Sequence, residues 1–204
     1  EPHRASRPLS ETASGFVPGS GAGALLLESL ESAEARGATI YAEILGGHIN
    51  SGGQCAGGTM TAPNSAAVVR CIRQAVTNAG IQASEIDYIN GHLTATIKDP
   101  VEIENWCTAL GRKGSQFPYI NSLKGMVGHC LAASGSVEAV STLIQMKENF
   151  VFPNVNCEDV HPKILELIAA SQIPLQKIDT PIHTAIKASF GFGDVNACVI
   201  FRKI

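Results

Sequence analysis

The stretch that most constrains the fold is Asn121 to Met146, NSLKGMVGHCLAASGSVEAVSTLIQM, which reads as a short lead-in loop followed by one long helix. From Gly128 to Met146 its only carboxylate is Glu138, and apart from His129 the rest is Ala, Ser, Gly, Val, Leu, Thr and other uncharged residues. A helix without a polar stripe belongs in an interior. Running from about Gly128 to Met146, it would be roughly 27 Å long and could pass through the middle of a domain. Small residues at Ala132, Ala133, Ser134, Gly135 and Ser136 would let a neighbouring element approach its first turns closely.

Three ionisable groups lie in or beside this segment: Lys124, His129 and Glu138. An unpaired buried ammonium or carboxylate costs several kcal/mol, so the simplest arrangement pairs Lys124 with Glu138. The positive end of the helix and a nearby ammonium both disfavour imidazolium at His129, which is expected to be neutral. Taken alone, His129 reads either as a core histidine capping a loop or as a neutral hydrogen-bond donor held for chemistry.

Composition narrows the setting. The chain has 204 residues, 45% of them hydrophobic, and a net charge of -3, enough for one well-buried domain. Slight acidity argues against a nucleic-acid or anionic-membrane binder, and no apolar run reaches the roughly 18 residues of a membrane span. The opening Glu1-Pro2-His3-Arg4 looks like the middle of a protein, so part of the machinery is expected to lie outside this chain. Six cysteines, Cys55, Cys71, Cys107, Cys130, Cys157 and Cys198, show no C-x-x-C spacing; they suggest reduced thiols, a cytoplasmic location and no metal site.

Strands alternating with helices indicate an α/β fold with a sheet covered on both faces. Expected strands are Ala24 to Leu30, Ile40 to Ile49, Ile86 to Asn90, Phe117 to Asn121, Ala185 to Ser189 and Ala197 to Arg202. Expected helices are Glu31 to Arg36, Ala66 to Asn78 capped by Asn64, and Val101 to Leu110 opened by Pro100, with Glu102 and Glu104 in its first turn as favourable charges near the helix N-terminus. Asn50 to Pro63 reads as a surface lid or rim. GSGAG at Gly19 to Gly23 imitates a dinucleotide loop, but a strand is expected after it where that fingerprint needs a helix.

Chemistry would gather where strands end. His92 follows IDYIN, and His129 lies just beyond YIN, so both could face one crevice at the carboxyl ends of neighbouring strands. Thr94 and Thr96, at alternate positions after His92, would line one side of an extended loop, or simply support a turn.

Four stretches, in order, resemble the C-terminal half of a β-ketoacyl-acyl carrier protein synthase, a condensing enzyme of the thiolase fold. Arg7 to Gly23 is similar to R-P-F…D-G-F-V-x-G-E-G-A-G, and DYINGHLTAT at Asp87 to Thr96 to D-Y-I-N-A-H-G-T-S-T. Asn121 to Glu138 is similar to S-S-T-K-S-M-T-G-H-x-x-G-A-A-G-x-V-E, and FGFGDVN at Phe190 to Asn196 to F-G-F-G-G-T-N. The resemblance covers residues 1–204 as one half-domain, a mixed sheet covered by helices with a buried central helix.

It implies a decarboxylative Claisen condensation between an acyl thioester and malonyl-acyl carrier protein, in fatty acid or polyketide synthesis. His92 and His129 would donate hydrogen bonds to the thioester oxygen. Lys124, supported by Glu138, would act electrostatically and structurally. Thr94 and Thr96 would contact the phosphopantetheine arm that arrives on the carrier protein, with no other cofactor. Phe190 and Phe192 would lie in the gate loop, Phe192 being the gate itself, with Gly191 and Gly193 supplying unusual backbone conformations.

The implied partners are an N-terminal half, the carrier protein and a second copy of the complete enzyme. The family's nucleophilic cysteine sits on an elbow in the other half; none of the six cysteines has that context, and Cys130, as the next helical residue, would point about 100° away from His129. Leu93, Asp194, Val195 and Ser20 depart from the pattern, which would alter backbone angles after His92 and the gating preferences. The alternatives are a non-condensing partner subunit that sets chain length, a degradative thiolase, which normally carries a C-x-G cysteine absent here, and a binding domain with a degenerate site.

Overall fold

The computed structural model describes residues 1–204. Helices α1 Leu30–Ala35, α2 Ser65–Asn78, α3 Asp99–Leu110, α4 Lys124–Val127, α5 Ser134–Glu148 and α6 Pro162–Leu165 alternate with strands β1 Glu43–Ser51, β2 Tyr88–Asn90, β3 Tyr119–Asn121, β4 Phe150–Val151, β5 Ile178–Asp179, β6 Thr184–Gly191 and β7 Val195–Arg202. Five strands form one sheet in the order β1-β7-β6-β2-β3, while β4 and β5 pair separately. The β2 strand is parallel to β3 and β6, and β7 runs antiparallel to both neighbours. The expected mixed α/β sheet is therefore present.

Period-two alternation divides each strand between two cores. Ile89, Ile186, Ala188, Cys198 and Ile200 face α2 and α3, where Ile72 and Trp106 are fully buried. Tyr88, Ala185 and Phe201 face the other way, onto Ala139 and Met146 of α5. Asn64 caps α2 as expected, its side chain accepting from the Ala67 N–H.

Three expectations fail. The long helix begins at Ser134, not near Gly128, after α4 and a single 3-10 turn at Leu131–Ala133. Gly128 has φ +73° and Leu131 φ +51°, and the His129 backbone is engaged elsewhere: its N–H donates to Val17 at 2.7 Å and its carbonyl accepts from Gly19 at 2.9 Å. A residue bonded sideways on both groups cannot join a helical ladder. Cys130 consequently lies outside the helix, with its Sγ toward Gly21.

Nor is α5 buried all round within this chain. Its buried side carries Ser134, Glu138, Thr142 and Gln145, while Val140, Leu143 and Ile144 border an apolar groove. Part of the other wall of that groove is Ala24 to Leu30, which pairs with no strand of this chain and so forms none; Leu26 is 84% exposed.

The GSGAG run serves as a close-packing surface. A Cβ on Gly19 would sit 2.2 Å from the Val127 carbonyl oxygen, and one on Gly23 2.6 Å from the Ser136 backbone. The small residues of the first turns of α5 are thus used as expected. Gly19→Ala should lower stability by about 1–3 kcal/mol, since the atom in conflict, the Val127 carbonyl oxygen, belongs to backbone. Urea denaturation checks this, and an unchanged midpoint would contradict it.

Candidate active site

Two loops leaving neighbouring parallel strands, β2 and β3, bring His92 and His129 together, with ring centroids 5.4 Å apart and planes at 84°. The loops are tied to each other, Ser122 Oγ donating to the Leu93 carbonyl at 2.8 Å. Both rings line a cavity of about 590 Å³, together with Phe16, Thr94, Phe190 and Phe192. Phe16 packs edge-on against His129 at 5.3 Å, and Phe190 against His92 at 6.2 Å.

The hydrogen bonds of His129 fix its tautomer. Nδ1 accepts from the Leu131 N–H at 3.0 Å, so the proton of a neutral ring belongs on Nε2, and Ser134 Oγ lies 3.0 Å from the same Nδ1. On His92, Nδ1 is buried without a partner, leaving Nε2 as the nitrogen open to the cavity. Burial lowers the pKa of both rings, and Lys124 lowers it further. For His92, whose pKa falls well below the ordinary histidine value, Lys187 and His129 add to the effect.

Behind the rings lies a buried ionic cluster. Lys124 Nζ pairs with Glu138 Oε1, as the sequence led us to expect. Lys187 Nζ lies 2.8 Å from the other carboxylate oxygen as an ionic contact, its donors being directed at the Ala188 carbonyl and Ser189 Oγ. Burial pushes Glu138 up, but Lys187 and Lys124 together hold it below the usual carboxylate value. Burial presses Lys124 down while Glu138 holds it up.

Lys187 is absent from the sequence-based candidates. The available signal was a lone lysine within the apolar strand AIKASF, which alternation places on the α5 side with Ala185.

Two carboxylates shape the loop that carries His92. Glu102 is buried rather than a surface charge at a helix end: it accepts from the His92 and Leu93 N–H groups, each at 2.8 Å, and from Trp106 Nε1 at 3.2 Å. Asp99 accepts from the backbone N–H groups of Leu9, Thr94, Ala95 and Thr96 at 2.9 to 3.3 Å. Burial raises the Asp99 carboxyl pKa, and those donors work against the rise. Their positions, Asp99 three residues after Thr96 and Glu102 ten after His92, gave no pattern that marked them.

Thr94 and Thr96 both line the cavity and hydrogen-bond each other at 3.1 Å, while Thr96 also accepts from the Lys98 N–H, the turn-supporting role. Leu93 does not take a positive φ and is fully buried, its side chain packed beside Gly91. In the loop expected to be the gate, β6 continues through Gly191, the turn is Phe192 to Asp194, and only Gly193 of the two glycines uses a positive φ, +79°. Phe192 is 60% exposed and Phe190 is buried.

Burial, reinforced by the charge of Asp99, pushes the Glu102 carboxyl pKa from 4.5 up to about 7. The native state therefore binds more protons than the unfolded chain between those values, and its stability falls as pH rises through that window. Relative to Glu102→Gln, the wild type should lose on the order of 3 kcal/mol from pH 4.5 to 7. Parallel pH profiles of the two in urea denaturation would contradict this.

Residues 41–158 match the family description "Beta-ketoacyl synthase, C-terminal domain". The chain is 41% identical over 209 residues to 3-oxoacyl-[acyl-carrier-protein] synthase II, chloroplastic, of Arabidopsis thaliana, covering 98% of this chain and 36% of that protein. It is 36% identical to 3-oxoacyl-[acyl-carrier-protein] synthase 2 of Vibrio harveyi, over 100% of this chain and 48% of that one. A type II polyketide ketosynthase solved with its acyl-carrier protein and bound to a hexaketide superposes with a TM-score of 0.88 at 33% identity, covering 99% of this chain and 48% of that one. A β-ketoacyl synthase from Burkholderia phymatum superposes with a TM-score of 0.87 at 34% identity, over 100% of this chain and 48% of that one. The chain thus spans about half, or less, of the length of these relatives, and its two histidines meet on a fold of the thiolase type. It belongs to the β-ketoacyl synthase family, whose C-terminal domain it carries.

Proposed function

We propose that this chain supplies the two histidines and the lysine of a 3-oxoacyl-acyl carrier protein synthase, which joins an acyl thioester to malonyl-acyl carrier protein with loss of CO2. The observation that carries the reading is the His92–His129 pair: two rings 5.4 Å apart, both disfavouring protonation, with the His129 proton assigned to Nε2. When malonyl thioester loses CO2, negative charge develops on the thioester oxygen. Two preorganised neutral N–H donors stabilise that oxygen without having to change protonation state. Lys124 and Glu138 support the pair from behind, Thr94 and Thr96 receive the pantetheine arm, and Phe192 gates the cavity.

The nucleophilic cysteine then comes from the remainder of the enzyme, since Cys130 does not line the cavity. The apolar groove between Ala24–Leu30 and α5 is the surface on which that remainder seats, completing the strand pairing that Ala24–Leu30 lacks here. The complete enzyme is read as a homodimer served by an acyl carrier protein. The six free thiols favour a reducing compartment, the cytoplasm. Both histidines being present weighs against a non-condensing chain-length partner.

In the complete enzyme, His92→Ala and His129→Ala should each slow malonyl decarboxylation by roughly 10²–10³-fold. Wild-type rates in either variant would refute the assignment. This chain alone should form no acyl-enzyme, and mass-spectrometric labelling of Cys130 by an acyl thioester would contradict that expectation.

A further inference from the structure

Asp194 departs from the Gly-Thr of the family pattern, and its environment is built around it. It is fully buried and holds φ +61°, a backbone region that side chains other than glycine, Asn and Asp seldom occupy. Its carboxylate reaches across to the loop that precedes α2. Oδ1 accepts from the Asn64 N–H at 3.0 Å, and Oδ2 accepts from Asn64 Nδ2 at 2.9 Å and from the Gln54 N–H at 3.1 Å.

No cation pairs with Asp194. The charge is held by N–H donors, one of them from the residue that caps α2, where the helix dipole favours an anion. The backbones join the same contact: Gly52 N–H donates to the Asp194 carbonyl, and Gly193 N–H donates to the Met60 carbonyl, each at 2.8 Å. A Cβ on Gly52 would lie 1.9 Å from Asp194 Oδ2, and one on Gly58 2.4 Å from it, so the loop can wrap the carboxylate only with glycine at both positions.

Both tied segments border the cavity that holds the histidines. Thr61, Ala62 and Pro63 form one part of its wall, and Phe190, Gly191 and Phe192 another. We propose that Asp194 is a specificity-positioning residue: by fastening the Phe192 turn to the 52–64 loop it fixes the width of the cavity mouth and so selects the size of acyl chain admitted. This rests on the ketosynthase reading for what passes the mouth, but the fastening itself does not depend on it. A hydrogen bond to a buried charge favours the fastened arrangement by roughly ten- to a hundredfold, enough to hold one loop against the other in nearly every molecule.

Two variants test this in the complete enzyme. Asp194→Gly restores the family's residue and suits the positive φ, so the turn is retained while the carboxylate is lost. Asn64→Asp keeps the oxygen that caps Ala67, which accepts its N–H at 2.8 Å, and sets a second carboxylate against Asp194. Hydrogen exchange should quicken about tenfold or more in both 52–64 and 190–196 in each variant, with the rest of the sheet unchanged. The ratio of kcat/KM for long to short acyl thioesters should shift several-fold in the same variants. Unchanged exchange in 52–64 would overturn the fastening. Loosened loops with an unaltered acyl profile would overturn the selectivity. If the wild type condenses nothing, the ketosynthase reading fails, and the exchange comparison still decides whether Asp194 joins the loops.

Discussion

The site depends on one carboxylate placed between two ammonium groups in a dry interior. Glu138 meets Lys124 from α4 on one oxygen and Lys187 from β6 on the other, with all three side chains no more than 3% exposed. Removing either lysine would leave an under-compensated buried charge, which is strongly destabilising, whereas the intact cluster contributes little net stability. Its value is positional: it joins three elements that share no other strong polar contact at this point, and it keeps positive charge beside two imidazoles. Burial and that positive charge both oppose protonation of those rings.

In front of the cluster, backbone hydrogen bonds do the aiming. His129 is held in an extended segment by Val17 and Gly19, and its ring is oriented by the Leu131 N–H. His92 is held from below by Glu102, whose oxygens take consecutive backbone N–H groups, while Asp99 gathers those of the following turn. Each histidine therefore sits on irregular backbone whose polar groups are satisfied by a buried partner, the condition under which a loop can be as precisely placed as a strand.

How far this was legible in the sequence follows from the range of each interaction. The strand ends carrying His92 and His129, the Asn64 cap and the Lys124–Glu138 pairing were readable, since local periodicity, cap chemistry and the cost of burying charge determine them. The start of α5 was not. Gly128 and His129 look helical until a segment more than a hundred residues earlier takes the His129 backbone, and no local rule announces that. Lys187 and Glu102 were missed for a related reason: a lysine in a strand and a glutamate in a helix's first turn have ordinary surface readings, and only the fold shows what faces them. The strand expected at Ala24 to Leu30 has the right composition and finds no neighbour in this chain to pair with. The outward apolar face of α5 follows the same logic, because the absence of a polar stripe says that a helix will be covered and not by what.

The central claim, two neutral imidazoles side by side with the His129 proton on Nε2, is tested most directly by nitrogen-15 NMR of the histidine side chains in the complete enzyme across pH 5 to 8. The account predicts that both rings take up a proton only below the ordinary histidine value, His92 well below it, with His129 carrying its proton on Nε2 and its Nδ1 unprotonated when neutral. A ring that titrates near the ordinary histidine value of about 6.5, or a His129 proton residing on Nδ1, would contradict it.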